Sequence, residues 1–498
     1  MSHSLTNNLY SGDQTRELDR RAIQEQGIPG AVLMKRAGRA AFEYACGVWP
    51  QNRRWLVLCG GGNNAGDGYV FAALAAQRQH EVAILFTSPP EQLKGDARAA
   101  YEYARQEGVS IQPFFADASP FEDDLVIVDA LLGIGLRSPV REDTAAAIRW
   151  INSTGAPVLA LDLPSGLCAD AGAELGIAVR ATHTITFIAA KTGLFTGRGP
   201  ALCGRVEVAG LGVAEEAFTD LPPTATKIEL PELLPLLPER AADAHKGQFG
   251  HVMVIGGELG YGGAAILAAE TASMTGAGLI SLATRAEHVA AALVRRPELM
   301  VIGVPSGQEL EPYLARPTVL VVGPGLGRTP WSEQLLQQAL QSNLPLVLDA
   351  DALNILAEGH LPLPAHRQWV MTPHPGEAAR LLGCSTQEVQ DNRIWAVTQL
   401  QQKLGGVILL KGAGTLICAD GTVYLAKVGN PGLATAGSGD VLAGLIGSLL
   451  AQGLAPLQAA QLGVCLHGEA ADLAIEDTGI AGLQAAELAP YIRELLKQ

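Results

Sequence analysis

The sequence predicts an α/β protein of two domains, and three observations support this prediction. Short apolar runs bounded by turn residues alternate with longer alanine-rich helical patterns, which is typical of βαβ units with parallel sheets. The hydrophobic 48% includes few aromatic residues, and 57 glycines suit tight turns between strands and helices. A proline-rich stretch near the middle of the 498 residues separates two halves, each long enough for its own core.

The predicted elements follow one another in a regular order. Helices at 15–26 and 31–46 precede the first strand. Each predicted strand is a short run rich in Val, Ile and Leu, which fits a strand buried in a parallel sheet. The strands of the first half are predicted at 55–59, 82–86, 125–129, 158–162 and 184–188. Those of the second half are predicted at 251–256, 279–283, 319–322, 346–349, 369–372 and 407–410.

The stretch between 219 and 240 differs from both halves. Its prolines are too closely spaced for regular elements, because each one removes a backbone donor and restricts its neighbour. They are Pro222, Pro223, Pro231, Pro235 and Pro238. The sequence therefore predicts a linker at 219–240, which joins a domain at 1–218 to a domain at 241–498.

Charge and cysteine content narrow the class of protein. The net charge of −15 disfavours nucleic acid and anionic membrane surfaces as partners. Seven scattered cysteines without a CxxC pair indicate reduced core thiols. The polar start lacks a signal-peptide core, and the most apolar stretch, 441–451, is too short to span a bilayer. A cytoplasmic protein without nucleic-acid or membrane partners is expected.

The most informative motif is Gly437-Ser438-Gly439-Asp440, which directly precedes an apolar helical pattern at 441–450. Successive backbone N–H groups at a helix start form a cradle for anions. A carboxylate at that place, here Asp440, can take a proton from a hydroxyl while the amides hold a transferring phosphate. The motif therefore predicts phosphoryl-transfer chemistry, although the same pattern also fits a glycine-rich turn that caps a core helix.

Polar residues follow several predicted strands of the first half. A glycine- and asparagine-rich loop at 60–68 lies between a strand and a helix predicted at 69–77, where ligands bind in open α/β sheets. It is neither a strict GxGxxG nor a P-loop. Asp129 and Asp162 end neighbouring strands, which indicates a shared crevice, and Lys191 follows the next strand. Asn64, Asp129 and Ser165 supply the oxygen ligands that hard cations prefer.

These residues carry a resemblance. GGGNNAGDG at 60–68, DALLGIG at 129–135, DLPSG at 162–166 and AAKTGLFTGRG at 189–199 are together similar to the NAD(P)H-hydrate epimerase domain. The resemblance implies a Rossmann-like three-layer sandwich that interconverts the R and S hydrates of NADH and NADPH. It implies a potassium ion held by Asn64, Asp129 and Ser165, with Asp162 and Lys191 as the proton-handling pair. The implied hydrate contacts are Asn63, Asn64, Ala65, Gly66, Asp67, Gly133, Ile134, Gly135, Leu136, Arg137, Ser138, Pro139 and Asp162.

A second set of motifs lies in the second half. HKGQFG at 245–250, GPGLG at 323–327, TPHPGE at 372–377, KGAGT at 411–415 and AGSGDVLAG at 436–444 together resemble the ADP-dependent NAD(P)H-hydrate dehydratase of the ribokinase-like α/β superfamily. The resemblance implies hydrate contacts at Ala264, Gly325, His374 and Asp440. The implied nucleotide contacts are Lys411, Gly412, Ala413, Gly414, Thr415 and Gly439, and the anion hole is formed by Gly437, Ser438 and Gly439.

The implied chemistry is metabolite repair. Hydroxide leaves poorly, so phosphorylation of the C6 hydroxyl by ADP creates a leaving group that the ring nitrogen can expel. Asp440 would be the catalytic base, and Mg²⁺ is expected with the nucleotide phosphates. A homo-oligomer is also expected. Two alternatives stay open: a ribokinase-like kinase for a vitamin or sugar, and a non-catalytic N-terminal half that only binds. The sequence decides neither ADP against ATP nor NADH hydrate against NADPH hydrate.

Overall fold

The computed structural model describes residues 7–115, 124–364 and 367–497. The chain divides into two compact units, Met1–Thr226 and Lys227–Gln498. Each unit is an α/β fold with a mainly parallel sheet, so the predicted fold class and the division into two are confirmed. Among the residues described, no helix is long and apolar enough to cross a membrane.

The N-terminal unit is built on a parallel sheet of seven strands. In sheet order the strands are Ser110–Pro113, Glu81–Phe86, Arg54–Cys59, Leu125–Ala130, Val158–Leu161, His183–Phe187 and Arg205–Ala209. The strand Asn8–Tyr10 lies outside this sheet and pairs in parallel with Ala190–Lys191. That pairing sets Tyr10 opposite Lys191 and joins the start of the chain to the segment after the sixth strand.

Helices cover both faces of this sheet and produce three layers. Trp55 and Val57 face one side, where they pack with Gly30–Val48 and Asn63–Gln77. Leu56 and Leu58 face the other side and pack with the helix Glu142–Ser153, as expected when successive side chains of a strand point to opposite faces. The remaining helices of the unit are Gly12–Gln24, Gly95–Gln106 and the short Gly199–Leu202.

The C-terminal unit contains seven parallel strands followed by an antiparallel pair at one end. In sheet order they are Met300–Gly303, Leu279–Thr284, His251–Ile255, Val319–Val322, Leu346–Leu348, Trp369–Met371, Val407–Leu410, Thr415–Ala419 and Thr422–Ala426. The helices of the unit are Leu230–Leu233, Gly262–Met274, Val289–Arg295, Gly307–Leu310, Pro330–Gln341, Ala350–Ala357, Pro375–Leu382, Thr386–Asp391, Arg393–Leu404, Ser438–Ala451, Pro456–Thr478 and Leu488–Leu495.

Strand order places a crevice in each unit. In the N-terminal unit the first strand of the sheet, Arg54–Cys59, lies beside Leu125–Ala130, and the order of strands reverses there. In the C-terminal unit the reversal lies between His251–Ile255 and Val319–Val322. Ligands of open α/β sheets bind beyond the carboxyl ends of the strands at such reversals. The motifs at 60–68 and 323–327 directly follow strands at these two positions.

The strands predicted from apolar runs are present, but several strands were missed, and three of these lie at sheet edges. Ser110–Pro113 and Arg205–Ala209 are partly exposed and have mixed polarity, whereas Met300–Gly303 is a partly exposed apolar run that is too short to stand out. An edge strand is covered incompletely, so it does not require the apolar run by which buried strands are recognised. The antiparallel pair at the end of the second sheet was also not foreseen.

The proline-rich stretch contains regular elements, so the expectation of none was wrong. It forms the strand Ala225–Ile228 and the short helix Leu230–Leu233. Pro231 lies in the first turn of this helix, where a backbone N–H would have no helical partner and its loss costs little. Leu230 and Leu233 are buried in the core of the C-terminal unit, so the end of this stretch belongs to that unit.

Each unit is expected to fold without the other, because each has its own buried core. We predict that fragments 1–226 and 227–498, expressed separately, each give a cooperative thermal melt. Circular dichroism would measure both melts, with the full-length chain as reference. Absence of a cooperative transition from both fragments would contradict the prediction.

Candidate active sites

Asp129 is the buried centre of the first site. It lies at the carboxyl end of Leu125–Ala130 and is fully buried. Its carboxylate accepts hydrogen bonds from the Ser165 backbone N–H at 2.8 Å and from the Ser165 hydroxyl at 2.6 Å. Burial raises the pKa of Asp129 to about 6, against the hydrogen bonds from Ser165, which lower it. The arrangement joins two strand tips through one desolvated carboxylate.

Asn64 faces the same place from the start of a helix. The segment 63–67 was expected to be a loop, but the helix begins at Asn63, six residues before the predicted start at 69. The backbone before this helix passes close to Leu131. Only glycine is possible at position 60, because a Cβ there would lie 1.9 Å from the Leu131 carbonyl oxygen. The Asn64 side chain donates to the Leu132 carbonyl at 3.1 Å, while its Oδ1 is buried without a hydrogen-bond partner in the described structure.

The oxygens of this cluster are of the type that hard cations prefer. A buried amide oxygen without a partner is costly, and an ion would satisfy it. The Leu132 carbonyl and the Asp129 carboxylate add oxygen ligands of the type that hard cations prefer. Within the described part of the chain, no group of three or more His, Cys, Asp or Glu side chains is arranged to hold a metal, so a thiolate or imidazole site for a transition metal is not indicated there.

Asp162 and Lys191 form an ion pair beside this cluster. The Lys191 ammonium is fully buried and donates to the Asp162 carboxylate at 2.6 Å, to the Thr186 hydroxyl at 2.9 Å and to the Phe187 carbonyl at 2.8 Å. Asp162 directly follows Val158–Leu161 and has a left-handed φ of 66°. Such a φ is uncommon outside glycine and occurs where surrounding contacts enforce it. The turn therefore fixes the carboxylate against the ammonium.

The loop at 133–139 begins between the oxygen cluster around Asn64 and the ion pair of Asp162 and Lys191. A Cβ on Gly133 would contact Asn64 Cβ and Asp162 Oδ2, both at 3.4 Å. Further along, Gly135 and the side chains at 137–139 are exposed. Arg137 pairs with Asp13, and Arg16 donates to the Ile134 carbonyl at 2.8 Å. The helix Gly12–Gln24 thus holds this loop from one side, a contact that the sequence did not reveal.

Two more carboxylates lie near the pair. Asp67, in the first turns of Asn63–Gln77, has a pKa raised well above its usual range by burial and by the charges of Asp162 and Asp19. Asp19 has a raised pKa for the same reasons, with Asp162 and Asp96 as its acidic neighbours. Lys191 opposes both shifts. The crevice therefore combines one buried ammonium with several carboxylates that resist ionisation.

Asp440 lies at the centre of the second site. The helix begins at Ser438, three residues before the predicted start at 441, so Asp440 is in its first turn. Gly437 caps this helix with a left-handed φ of 92°, which glycine adopts without strain. Burial raises the pKa of Asp440 to about 7, and the nearby Asp349 carboxylate contributes while Lys411 opposes. A carboxylate with this pKa at a helix N-terminus is suited to general-base chemistry near neutral pH.

Lys411 pairs with a carboxylate that the sequence did not single out. Its ammonium donates to Asp349 at 2.7 Å, and the Thr372 hydroxyl donates to the same oxygen at 2.7 Å. Asp349 directly follows Leu346–Leu348 and is buried. A Cβ on Gly439 would lie 3.2 Å from the Lys411 ammonium. The pair thus lies against the glycine-rich helix start and beside Asp440.

His374 serves as the cap of a helix. Its Nδ1 accepts hydrogen bonds from the N–H groups of Gly376 at 2.9 Å and Glu377 at 3.4 Å, and it lies at the N-cap of Pro375–Leu382. Its Nε2 is 3.2 Å from Glu377 Oε1. Burial, with Lys411 and Arg380 nearby, lowers the pKa of His374, while burial raises the pKa of Glu377 to about 7. In its neutral form, His374 can accept hydrogen bonds from these two amides at Nδ1 and still carry an N–H at Nε2.

Ala264 and Gly325 lie together at the strand reversal of the C-terminal unit. A Cβ on Gly325 would contact Ala264 Cβ at 3.1 Å and the Tyr261 carbonyl oxygen at 2.4 Å. Glu258 supports this loop pair, because its N–H donates to the Gly325 carbonyl at 2.7 Å and its carboxylate binds Arg285 through two hydrogen bonds. The Tyr261 side chain is 62% exposed beside them, so an aromatic surface adjoins the expected hydrate position.

One cavity of the N-terminal unit lies away from both candidate sites. It has a volume of about 580 Å³ and includes Trp49, Asn52, Leu125, Trp150 and Pro157 in its lining. Leu125 begins its strand and Pro157 precedes the next one, so the cavity is at the amino edge of the N-terminal sheet. In open α/β sheets, ligands bind at the opposite edge, beyond the carboxyl ends of the strands. The polar clusters around Asp129 and Asp349 lie at the carboxyl ends of their strands and not at this cavity.

Some residues of these sites carried signals in the sequence and others did not. Asp349 ends a predicted strand as Asp129 and Asp162 do, and Glu377 belongs to the TPHPGE motif, so both could have been selected. Asp19 and Thr186 have no such signal. Asp19 lies on an amphipathic helix, where a carboxylate is ordinarily a surface charge.

Two family models match the chain. The model described as NAD(P)H-hydrate dehydratase matches residues 252–494, and the model described as YjeF-related protein N-terminus matches residues 30–193. The order of the two matches is the order predicted from the motifs. Each match lies within one of the two compact units.

Curated relatives align over almost the whole chain. The bifunctional NAD(P)H-hydrate repair enzyme of Coxiella burnetii is 47% identical, and the alignment covers 98% of this chain and 99% of the relative. The enzymes of the same description from Vibrio cholerae and Escherichia coli are each 41% identical over 99% of this chain, with 99% and 95% of the relatives covered.

Two solved structures each match a little over half of the chain. A ribokinase-like superfamily protein from Enterococcus faecalis is 30% identical, with a TM-score of 0.51, and the match covers 55% of this chain and 96% of that protein. A hypothetical protein from Streptococcus mutans is 27% identical at the same TM-score, with 55% and 99% covered. These structural matches support the ribokinase-like architecture predicted for the second half.

Proposed function

The chain belongs to the family of bifunctional NAD(P)H-hydrate repair enzymes, and we propose from this premise how its two units divide the reaction. The N-terminal domain, 1–218, epimerises the R and S hydrates of NADH and NADPH. The C-terminal domain, 241–498, dehydrates the S hydrate at the expense of ADP. The stretch 219–240 joins the two domains, and its end packs into the C-terminal core. The observation that carries this proposal is that each unit holds a set of polar groups suited to its reaction. The N-terminal unit has the pair Asp162 and Lys191, and the C-terminal unit has Asp440 at the glycine-rich helix start.

Epimerisation at C6 requires the hydroxyl to leave and return, or the ring to open and close. Either route needs a group beside the ring that donates and then accepts a proton. We assign this role to Asp162, with Lys191 holding its charge at 2.6 Å. Gly133 lies against both Asn64 and Asp162, so the loop at 133–139 is suited to close over the ring. The exposed Arg137 is suited to the phosphates of the hydrate.

Potassium is proposed for the cluster of Asn64, Asp129 and Ser165. The unpartnered Asn64 oxygen, the buried Asp129 carboxylate and the Ser165 hydroxyl are of the required type. A bound cation would stabilise the ionised form of Asp129, whose burial otherwise raises its pKa. Its contribution is to fix the helix start and the two strand tips around the ring, while the proton transfer belongs to Asp162 and Lys191.

Dehydration is assigned to Asp440 and the N–H groups of Gly437, Ser438 and Gly439. Asp440 takes the proton of the C6 hydroxyl, whose oxygen then bonds to the terminal phosphorus of ADP as the bond to AMP breaks. The helix-start amides stabilise the charge on the transferring phosphoryl group. The ring nitrogen lone pair then expels the C6 phosphate and leaves an N1=C6 iminium ion, and loss of a proton from C5 restores the dihydropyridine. Ala264, Gly325 and His374 are proposed to hold the hydrate in place for this attack.

Nucleotide binding is assigned to Lys411–Thr415 and Gly439. Lys411 already has an anionic partner in Asp349, so a nucleotide phosphate would share the ammonium with that carboxylate. Mg²⁺ bound with the phosphates would offset the additional negative charge. ADP and ATP present the same groups to this loop, so the choice of ADP rests on the family. A homo-oligomer is proposed as well, and its mass in solution would test it.

The decisive experiment follows the absorbance of reduced nicotinamide at about 340 nm. The substrate is a mixture of R and S hydrates of NADH, then of NADPH, with ADP or ATP added in turn. We expect absorbance to return fully and only when a nucleotide is present. A vitamin or sugar kinase would leave the hydrate unchanged. Fast recovery that stops at the S fraction would assign dehydration but reject epimerisation.

The pH dependence of dehydration should report Asp440. As a base it must be ionised, and its pKa of about 7 means that lower pH protonates it. We expect kcat/KM for the S hydrate to fall about tenfold per pH unit below about 7. Glu377 has a pKa in the same range, so Glu377→Gln is the matched control and should keep the acid limb. A profile without an acid limb in the wild type would contradict the assignment of Asp440 as base.

A further inference from the structure

The proposed nucleotide loop, Lys411–Thr415, is held by an arginine that lies outside the motifs of the second half. Arg393 is the first residue of Arg393–Leu404 and is 1% exposed. One guanidinium nitrogen donates to the carbonyl oxygens of Leu410 at 3.3 Å, Lys411 at 3.2 Å and Gly414 at 3.4 Å. The other terminal nitrogen donates to Gln390 at 3.0 Å. One buried cation therefore contacts both ends of the loop from its inner side.

The conformation of Gly412 depends on this contact. Gly412 has a φ of 138°, and a Cβ there would lie 2.8 Å from one terminal nitrogen of Arg393 and 3.0 Å from the other. The loop backbone thus passes directly over the guanidinium, at a distance that only glycine permits. Gly412 and Ala413 are exposed on the outer side. The loop separates the buried cation from solvent by a single layer of backbone.

Peptide geometry sets the direction of the loop amides. In a trans peptide the C=O of one residue and the N–H of the next point in opposite directions. Because the Lys411 carbonyl is turned inward to Arg393, the N–H of Gly412 is turned outward. The N–H of Lys411 itself donates to Pro373 at 2.9 Å, which anchors the loop to the TPHPGE motif. An outward amide above a buried positive charge is suited to an anionic ligand.

We propose that Arg393 is a positioning residue for nucleotide binding, which gathers the inward carbonyls of the loop and thereby presents the outward N–H of Gly412 to the phosphates of ADP. The proposal rests on the assignment of Lys411–Thr415 as the nucleotide loop. Burial lowers the pKa of Arg393 to about 10, which leaves it charged at neutral pH. A buried charge is costly, and orienting this loop is a function that would justify it.

Arg393→Gln, Arg393→Lys and the surface control Arg493→Gln test the proposal in the full-length chain. Calorimetry gives the Kd of ADP, and steady-state assays give KM for ADP and for the S hydrate. We expect Arg393→Gln to weaken ADP binding about tenfold or more, as loss of hydrogen bonds from a charged donor predicts, with KM for the hydrate unchanged. Arg393→Lys keeps the charge but not the planar fork and should be intermediate. Arg493→Gln should match the wild type.

A parallel rise of both KM values, or an unchanged Kd for ADP in Arg393→Gln, would overturn the proposal. If Arg393→Gln does not melt cooperatively, Arg393→Lys becomes the test. A wild-type Kd for ADP in Arg393→Lys would then overturn the proposal. Amide exchange of peptides that cover the loop separates this proposal from the loop assignment. Lack of protection by ADP in the wild type would reject the loop as the nucleotide site. Faster exchange in nucleotide-free Arg393→Lys would support Arg393 as the residue that holds the loop, whatever binds there.

Discussion

Asp440→Asn is expected to abolish dehydration and leave epimerisation intact. The substitution keeps the size of the side chain in the first turn of Ser438–Ala451 but removes the base. Loss of a general base typically costs about 10²–10⁴ in rate. Recovery of absorbance from the pure S hydrate with ADP measures the effect. Epimerisation is followed separately, by the conversion of the R hydrate to the S hydrate in the absence of nucleotide.

The control for this variant must show that the glycine-rich helix start is undisturbed. Removing the Asp440 charge should not weaken the binding of ADP. Asp440 is one of several carboxylates near Lys411, and a negative charge there does not attract the phosphates. An unchanged or tighter Kd for ADP with lost turnover would assign the defect to chemistry. Dehydration by Asp440→Asn within a few-fold of wild type would show that another group accepts the proton, and Glu377 would be the next candidate, since its pKa is also about 7.

Asp162→Asn and Lys191→Ala are expected to lose epimerisation and keep dehydration of the S hydrate. Asp162 carries the proton in the proposed mechanism, and Lys191 holds it at 2.6 Å. On a mixture of R and S hydrates, each variant should convert the S fraction rapidly and then continue only at the spontaneous rate of epimerisation. Complete fast conversion by both variants would place the epimerising groups elsewhere in the N-terminal unit.

The two variants differ in their structural cost. Removing one partner of a buried ion pair typically costs about 3–5 kcal/mol, because the other charge is left uncompensated. Lys191 is fully buried, so Lys191→Ala needs a thermal melt beside the assay. Asp162→Asn keeps an oxygen that can accept from Lys191, which makes it the cleaner test of proton transfer. Thr186→Val is the matched control: it removes the hydroxyl that accepts from Lys191 and donates to Asp162 but keeps both charges, so it should retain most epimerisation.

The sequence alone determined the α/β class, the division into two halves and the motifs that carry the family resemblance. These features are local. A strand buried on both faces requires an apolar run, and Asp129 and Asp162 are recognisable because they are the first charged residues at the ends of such runs. The Gly437–Asp440 motif is recognisable because a helix start that binds an anion needs small residues and a nearby carboxylate. The family resemblance drew on the same local patterns, and the relatives confirm it.

Only the tertiary structure decided which charges meet. Lys411 and Asp349 are 62 residues apart in sequence, and Lys191 and Asp162 are 29 apart, so no local pattern predicts either pair. Arg393 begins an ordinary helix in the sequence, yet its guanidinium lies beneath the loop Lys411–Thr415. Edge strands and the short helix within the proline-rich stretch were missed for a related reason, since neighbouring segments complete them. Pairing, burial and pKa shifts depend on the distance between distant segments, and that distance is set by the order of strands in each sheet.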